Sequence, residues 1–463
     1  MTEPNSAPDP QALRALGTGQ RISYGAGDLG FVLLWQGSAL FLLYFYTDVL
    51  HLQPWTAGAI YLAGMAWDAV SDPLIATWAE RRVNRTGRYG PMIAWSAVPI
   101  GLSYVWMFSV PADTGLATAI CALASHLAFR TAFTCAAMPY SALPARMTRD
   151  SDERTSLSAL RVVFAAIAGL AVAVATPLLV QAAAESGEGA GYRFAAIATG
   201  ASAAVVLLLS SAGLREPPAR PVAMPGSNYL ADLRDLWSGV LRNGPLQRLL
   251  ALMLLATVGF GLFTQNMLYF LNHVLARPDL TLPVLASPAI AMILTAPLWM
   301  MLAARTSKRA AMLTGILIAM AGYLMIAVAP AAGAAITITS VALVGIGSAA
   351  LPIMFWSMVP DVIDHGQLET GIRVEARTFG LTTFIQKSAA GLAALLAGAL
   401  LGWAGYDPEA AQTPVTQSVI TAMISWLPAA CMLVMVPIVR GYPIDRARHR
   451  DIVGRLRQTP AAG

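Results

Sequence analysis

The sequence contains little charge and almost no lysine. Charged residues make up 12% of its 463 residues, whereas hydrophobic residues make up 57%. Soluble proteins carry about 25% charged residues, because a surface that faces water must be polar. A surface that faces lipid needs no charge, so this composition favours a membrane protein. The net charge of +5 does not indicate a nucleic-acid partner, because the basic residues lie in short loops between apolar runs.

Cysteine is scarce, and several catalytic patterns are missing. Cys121, Cys135 and Cys431 all fall in apolar segments, where we expect buried thiols that pack as small apolar groups. The chain has no Gly-Lys-Ser/Thr loop for a nucleotide phosphate, no Cys/His cluster with metal spacing and no legible Ser/His/Asp set. We therefore expect no ATP-driven step and no cofactor. A polytopic membrane enzyme is the least favoured class of function.

Long apolar runs make up most of the remaining sequence. A bilayer core needs roughly 20 apolar residues per helix. Runs of that length lie near residues 28–49, 55–79, 91–111, 115–141, 157–183, 193–213, 247–274, 281–303, 309–329, 334–359, 377–403 and 415–439. They predict an all-α, polytopic membrane protein with about twelve transmembrane helices. We expect no cleavable signal peptide, because the first apolar run follows a polar segment and is too long.

The predicted spans fall into two groups of six. We predict an N-terminal half over residues 1–213, a linker over 214–246, a C-terminal half over 247–440 and a tail over 441–463. An amphipathic stretch around Leu230–Leu241 predicts a short surface helix in the linker. The loops after the fourth and tenth spans contain similar residues, and such internal repetition is typical of secondary transporters.

Basic residues crowd the loops on one side of the predicted spans. The other side carries only Arg193 and Arg277. Cytoplasmic loops are enriched in lysine and arginine, so this bias predicts that both termini and the linker lie in the cytoplasm. We therefore expect a multi-pass protein of the bacterial inner membrane. We also expect a monomer whose main surroundings are the lipid bilayer.

Two carboxylates lie in the second predicted span. An ionisable group inside a bilayer costs about 2.5–3.5 kcal/mol on insertion scales, so it should face a cavity or a partner. Asp68 and Asp72 are four residues apart and therefore share one helical face. They would repel each other unless a cation or a proton lay between them, which favours a site for Na⁺ or H⁺. The alternative is that Asp72 only caps the helix end and pairs with Arg81 or Arg88.

Other ionisable groups also fall inside the spans. Lys387 is expected beside the carboxylate pair, or else its long side chain reaches the cytoplasm. His126 and Arg130 are four residues apart in the fourth span. Arg130 should meet either an anionic substrate or a membrane carboxylate, Asp68 or Asp28. Arg161 opens the fifth span and is either a substrate contact or an interface anchor.

Several of these residues belong to motifs that resemble a known family. The motifs are Trp67-Asp68-Ala69-Val70-Ser71-Asp72-Pro73, Arg85-Thr86-Gly87-Arg88-Tyr89-Gly90-Pro91 and Pro360-Asp361-Val362-Ile363-Asp364-His365-Gly366. With Tyr44-Phe45-Tyr46-Thr47-Asp48-Val49, they resemble the glycoside–pentoside–hexuronide:cation symporters of the major facilitator superfamily. The melibiose carriers are familiar members. The resemblance runs over nearly the whole chain and implies the major facilitator fold.

The resemblance implies roles for individual residues. Asp68 and Asp72 would ligate the coupling Na⁺ with help from Thr134, and Lys387 would lie beside that site. Asp361, Asp364 and Arg373, in the loop after the tenth span, would form a cytoplasmic ionic lock. This loop would lie opposite Arg154, in the loop after the fourth span.

The departures from the family pattern affect the substrate site. Val32 and Ala137 stand where melibiose carriers hold the sugar with aspartates. Pro352 stands near the position of the tryptophan that stacks on the sugar, and Trp356 is one turn away. The resemblance therefore implies that the cation residues are kept while the galactoside site is changed.

These observations predict symport of a small organic solute with Na⁺ or H⁺. The solute is expected to be a sugar or an anionic sugar derivative, with Arg130 as its main anchor. Further substrate candidates are His126, Lys387, Asp28, Trp356 and Arg161. The alternative on the same fold is a carrier of lysolipids or other amphiphiles, which would need an apolar cavity open to lipid.

Overall fold

The computed structural model describes residues 16–111, 115–148, 151–214, 216, 243–370 and 375–458. Over these ranges the chain forms helices joined by short connections, without a strand. The first half contains α1 Thr18–Tyr44, α2 Pro54–Thr86, α3 Gly90–Met107, α4 Leu116–Met147, α5 Ser151–Ala182 and α6 Glu188–Gly213. A π-helical turn, Phe45–Val49, extends α1.

A second group of helices follows residue 243, and we call the two groups the first and the second half. The second half contains α7 Gly244–Gln265, α8 Thr281–Arg305, α9 Lys308–Ile326, α10 Ala334–Thr370, α11 Glu375–Trp403, α12 Pro414–Ile424 and α13 Trp426–Arg440. The helices α12 and α13 meet at Ser425 and together form one span. A second π-helical turn, Phe270–Val274, follows α7. The tail adds α14, Arg446–Gln458.

All twelve predicted spans coincide with helical segments. Within the described ranges, ten helices are long and apolar enough to cross a membrane. The other two are α2 and α3. Asp68 and Asp72 lie inside α2 and lower its hydropathy, while α3 has only 18 residues, among them two prolines and two tryptophans. The predicted all-α polytopic architecture is confirmed. The division into two halves, a linker and a tail stays a prediction, and Leu230–Leu241 lies outside the described residues.

Several helices are longer than the apolar runs predicted. The helix α1 begins at Thr18 rather than near residue 28, α2 continues to Thr86, and α10 reaches Thr370. Hydropathy detects only the part of a helix that lies in hydrocarbon, whereas backbone hydrogen bonding can continue into the polar region. The left-handed Gly87, at φ 81°, ends α2.

The helices alternate in direction, so the bundle has two distinct faces. We call the end that carries Thr18 and Arg440 the terminal face, and the other end the opposite face. The terminal face also contains the ends of α2, α4 and α10. The tail helix α14 lies against α10 there, where the His449 Nε2 atom is 3.3 Å from the Asp364 Oδ2 atom.

The two halves meet mainly along two helix pairs, α2 with α11 and α5 with α8, and α1 also contacts α7. Glycines allow α2 and α11 to approach closely near the opposite face. A Cβ atom on Gly58 would lie 2.6 Å from the Ala394 carbonyl oxygen, and one on Gly391 would lie 2.8 Å from Leu62. Small residues of this kind are typical of close helix packing in membranes. The two halves are therefore tightly packed on the side of the opposite face.

Candidate functional site

A buried ion pair joins α2 to α4 in the middle of the bundle. The Arg130 Nε atom donates to the Asp68 Oδ1 atom at 3.1 Å, and the Arg130 Nη2 atom donates to Asp68 Oδ2. Both side chains are 1% exposed. This two-point pairing is the geometry in which a guanidinium binds a carboxylate most strongly. Of the two predicted roles of Arg130, the structure shows the pairing with Asp68.

Lys387 extends this pair across the boundary between the halves. Its Nζ atom lies 2.9 Å from the Asp68 Oδ2 atom and 2.5 Å from the Asp72 Oδ2 atom. The Thr134 Oγ1 atom of α4 donates to Asp72 Oδ1 at 2.8 Å. Lys387 therefore lies beside both carboxylates, and Asp72 is bound by a lysine and a threonine inside the bundle. We call Asp68, Asp72, Arg130, Thr134 and Lys387 the central cluster.

Aromatic rings hold the guanidinium of Arg130 in place. Its Cζ atom lies 4.7 Å from the ring centre of Trp35 and 5.6 Å from that of Phe133. An arginine held this way gains cation–π attraction and loses freedom to change rotamer. His126, one turn away, is buried between α2 and α4 against Gly64, and its Nδ1 atom has no hydrogen-bond partner. The predicted roles of Arg130 and His126 in substrate binding stay predictions.

A second arginine–aspartate pair joins α1 to α5. The Arg161 Nη2 atom donates to the Asp28 Oδ1 atom at 2.9 Å. The Arg161 side chain is 34% exposed and also lies over the ring of Tyr140 at 5.1 Å. The Asp28–Arg161 pair is therefore more exposed than the buried Asp68–Arg130 pair.

A cavity of about 300 Å³ lies between the halves. Helices α1 and α5 line it on one side and α7, α8 and α10 on the other. Two polar side chains, Gln36 and Thr264, are found among its lining residues, and the other lining residues are apolar, glycine or proline. Val32 and Pro352 also line it. These are two of the positions at which the sequence departs from the sugar-binding pattern.

Trp356 lies outside the lining of this cavity. Its ring stacks on Phe379 of α11, with ring centres 6.2 Å apart and planes 9° from parallel. The side chain is 40% exposed. The predicted contact between Trp356 and a substrate stays a prediction.

Polar contacts between the halves also lie at the opposite face. The Asp48 Oδ1 atom accepts a hydrogen bond from Tyr406 at 2.6 Å and lies 3.2 Å from the His273 Nε2 atom. Burial, and secondarily the Asp48 carboxylate, raises the pKa of Tyr406, so its hydroxyl stays protonated and donates. Neither Asp48 nor His273 was predicted as a site residue, because both lie at the ends of spans.

Further contacts at the opposite face join two segments that resemble each other in sequence. Tyr44 accepts from the Asn272 side-chain amide at 2.9 Å, and Thr47 lies 2.6 Å from the Tyr269 hydroxyl. The segments 44–50 and 269–275 read Tyr-Phe-Tyr-Thr-Asp-Val-Leu and Tyr-Phe-Leu-Asn-His-Val-Leu. Each contains a π-helical turn and precedes a residue with positive φ. The similarity of these two segments is the sequence signal that could have drawn attention to them. We call segments 44–50 and 269–275 the paired turns.

The predicted lock residues lie at the terminal face. The Asp361 Oδ2 atom is 2.7 Å from the Lys308 Nζ atom, and Asp364 contacts His449. The first contact lies within the second half and the second joins it to the tail, so neither reaches the first half, and Arg154 is exposed. Arg373 lies outside the described residues, so the lock stays a prediction.

Among the described residues, the hydrogen bonds and ion pairs between the halves lie in the central cluster or at the opposite face. Because these contacts hold the two halves together there, the helix bundle is closed at the opposite face.

Three relatives match the chain over most of its length. The glucuronide carrier protein homolog of Escherichia coli is 25% identical over 93% of this chain and 94% of its own. The inner membrane symporter YicJ of Escherichia coli is 25% identical over 91% of both chains. The sodium-dependent lysophosphatidylcholine symporter 1 of Gallus gallus is 26% identical over 93% of this chain and 87% of its own.

Solved structures support the fold. A bacterial homolog of the human lysosomal transporter Spinster, in an inward-facing and unoccupied conformation, has a TM-score of 0.66 at 14% identity. The match covers 95% of this chain and 98% of that one. The nucleoside transporter NupG has a TM-score of 0.61 at 13% identity over 90% and 98% of the two chains. The pattern of the MFS/sugar transport protein family matches residues 23–446. The chain belongs to the MFS/sugar transport protein family.

Proposed function

We propose that the chain is a secondary active transporter that carries a small organic solute across the bacterial inner membrane together with a cation. The observation that carries this proposal is the central cluster. It places two carboxylates of the first half against Lys387 of the second half, in the middle of the bundle. Ionisable groups at this depth are functional by default, because burying them in hydrocarbon is unfavourable.

The position of Lys387 supports a coupling role. A transporter exposes its central site alternately to the two sides when one half moves against the other. Contacts between Lys387 and the α2 carboxylates must change during that motion, whereas the Asp68–Arg130 pair lies within one half and can persist. A ligand that alters the charge near Asp72 therefore alters the balance between the two conformations.

The cavity supports a solute of modest size. A volume of about 300 Å³ is at the lower end of small-molecule sites. A relative named for glucuronide transport favours an anionic sugar derivative as the solute. Of the two paired arginines, Arg161 is the one a solute can reach, and its neighbour Val162 lines the cavity. We therefore propose Arg161 as the anchor of an anionic group.

An amphiphile is the second candidate solute. The cavity lining offers a sugar few hydrogen-bond partners, because only Gln36 and Thr264 are polar there. A hydroxyl buried without a partner is unfavourable, whereas an acyl chain needs none. The lysophosphatidylcholine symporter among the relatives points the same way.

The terminal face is the proposed cytoplasmic side. Arginines of the α2–α3 connection, the α4 end and the tail all lie there, as expected for cytoplasmic loops. The arrangement closed at the opposite face then corresponds to a carrier facing the cytoplasm. A monomeric carrier stays a prediction.

Uptake into proteoliposomes tests this proposal. Purified protein would be offered labelled glucuronides, neutral glycosides and lysophospholipids, under an imposed Na⁺ or H⁺ gradient. We expect accumulation of one class above its equilibrium level, and loss of that accumulation when the gradient is collapsed. Equilibration of every class without accumulation would contradict cation coupling.

A further inference from the structure

The family resemblance implies a Na⁺ ion held by Asp68, Asp72 and Thr134. The residues of this chain can be tested for that ion by counting the ligands left for it. Sodium binds hard oxygen ligands, as carboxylates and hydroxyls provide. A bound ion would need lone pairs on Asp68 and Asp72 that no protein donor already uses.

Every carboxylate oxygen of the pair already has a protein donor. Asp68 Oδ1 accepts from Arg130 Nε, and Asp68 Oδ2 lies against Arg130 Nη2 and Lys387 Nζ. Asp72 Oδ1 accepts from Thr134, and Asp72 Oδ2 from Lys387. The Oδ2 atoms of both aspartates face the Lys387 ammonium group, so a sodium ion bound between the two carboxylates would have to displace that group.

The charges of the cluster also balance without sodium. Two carboxylates face one guanidinium and one ammonium group, so the formal sum is zero. Adding a monovalent cation would leave a net positive charge where Asp68 and Arg130 are 1% exposed. An unpaired charge in such a site is strongly unfavourable.

Arg130 has little freedom to leave. Its guanidinium is bound at two points by Asp68 and lies over Trp35 and Phe133. A guanidinium group in a protein is a permanent cation. The positive charge beside Asp68 is therefore a fixed part of the chain.

We propose that Arg130 takes the place of the sodium ion, so that Asp68 and Asp72 do not bind Na⁺ in this chain. This inference deepens the proposed function. It rests on that function in one respect, namely that the central cluster is the coupling site. Its test measures sodium binding rather than transport, so the two can fail separately.

Thermal unfolding of the purified protein provides the direct test. The unfolding midpoint would be compared in NaCl, LiCl and choline chloride at equal ionic strength, because a ligand of the folded state raises it. We expect no sodium-specific shift, or a shift that persists in Asp68→Asn and so arises elsewhere. A sodium-specific shift that Asp68→Asn abolishes would overturn the inference.

Variants of Arg130 give the converse test. Arg130→Gly leaves two carboxylates with one lysine, so a sodium-specific rise of the midpoint should appear. Arg130→Lys keeps the charge and should remain insensitive to sodium. Arg161→Gly is the matched control, because it removes the other arginine–aspartate pair, and it should not respond. A folded Arg130→Gly protein that ignores sodium would contradict the proposed substitution, and if that variant does not fold, the wild-type comparison still decides.

Discussion

The two arginine–aspartate pairs of the first half have the same chemistry and different surroundings. Asp68 and Arg130 are fully buried, and Asp68 also contacts Lys387 of the other half. Asp28 and Arg161 are partly exposed and lie beside the cavity, within one half. Residue type therefore does not distinguish the two pairs, whereas burial and connection across the halves do, and on these two properties we base the different roles proposed for them.

The comparison also explains why one pair should tolerate change better than the other. Removing one partner of a buried pair leaves an uncompensated charge in a low-dielectric region. Removing one partner of a partly exposed pair leaves a charge that water can partly solvate, so less stability is lost.

The largest expected effect follows from Asp68→Asn. Arg130 would then lose its carboxylate partner while Lys387 keeps Asp72, which leaves excess positive charge in the bundle. We expect the free energy of unfolding to fall by about 3–5 kcal/mol, the range for a broken buried pair. Thermal unfolding in detergent would measure this, with Asp28→Asn as the matched control. Equal losses from the two variants would show that burial does not distinguish the pairs.

The next effect concerns the contact between the halves. Lys387→Gln removes a charged donor from both Asp68 and Asp72 while leaving Arg130 in place. We expect a loss of about 1.5–3 kcal/mol, as for a hydrogen bond to a charged group, in the stability of the arrangement closed at the opposite face. Distances between spin labels on α2 and α11 would report that equilibrium. An unchanged distance distribution would argue against a role of Lys387 between the halves.

A smaller effect on stability is expected at the exposed pair. Arg161→Gln should change the free energy of unfolding by about 0.2–1 kcal/mol, because the pair is partly solvated. The affinity of this variant for an anionic solute should fall about ten- to a hundred-fold, since a charge-assisted contact is lost. Arg161→Lys should lose less. If an anionic solute binds Arg161→Gln as tightly as wild type, Arg161 is not its anchor.

The smallest effect is expected at the paired turns. Replacing His273 with asparagine removes one contact to Asp48, while Tyr406 still donates to that carboxylate. We expect the closed arrangement at this face to lose about 1 kcal/mol of stability, which corresponds to about a fivefold increase in opening. Alkylation of a cysteine at the buried Leu271, in a chain without native cysteines, would measure it. Slower or equal alkylation would contradict a closing role for the paired turns.

Much of the fold could be predicted, because hydropathy reports the solvent around each helix. The twelve runs coincide with helical segments, but helix ends such as Thr18 and Thr370 could not be predicted, since polar residues continue a helix into water. The four-residue spacing of Asp68 and Asp72 correctly placed both on one side of α2.

The pairing of the site could not be predicted from spacing within single helices. Both predicted roles of Arg130 were compatible with its position in α4, and only packing of α2 against α4 selects Asp68. The contact between Asp48 and His273 joins residues 225 positions apart. Hydropathy carries no information about such pairs, although the repeated segments 44–50 and 269–275 contain a signal that could have been used.

We infer that the central cluster couples solute movement to a cation. The most direct measurement compares wild type and Asp72→Asn in proteoliposomes, first with an imposed cation gradient and then in solute exchange without a gradient. Because Asp72 is only partly buried and has no contact with Arg130, this variant disturbs the fold less than Asp68→Asn. We expect that Asp72→Asn still exchanges solute but no longer accumulates it. Gradient-driven accumulation at the wild-type level would contradict a coupling role of the central cluster.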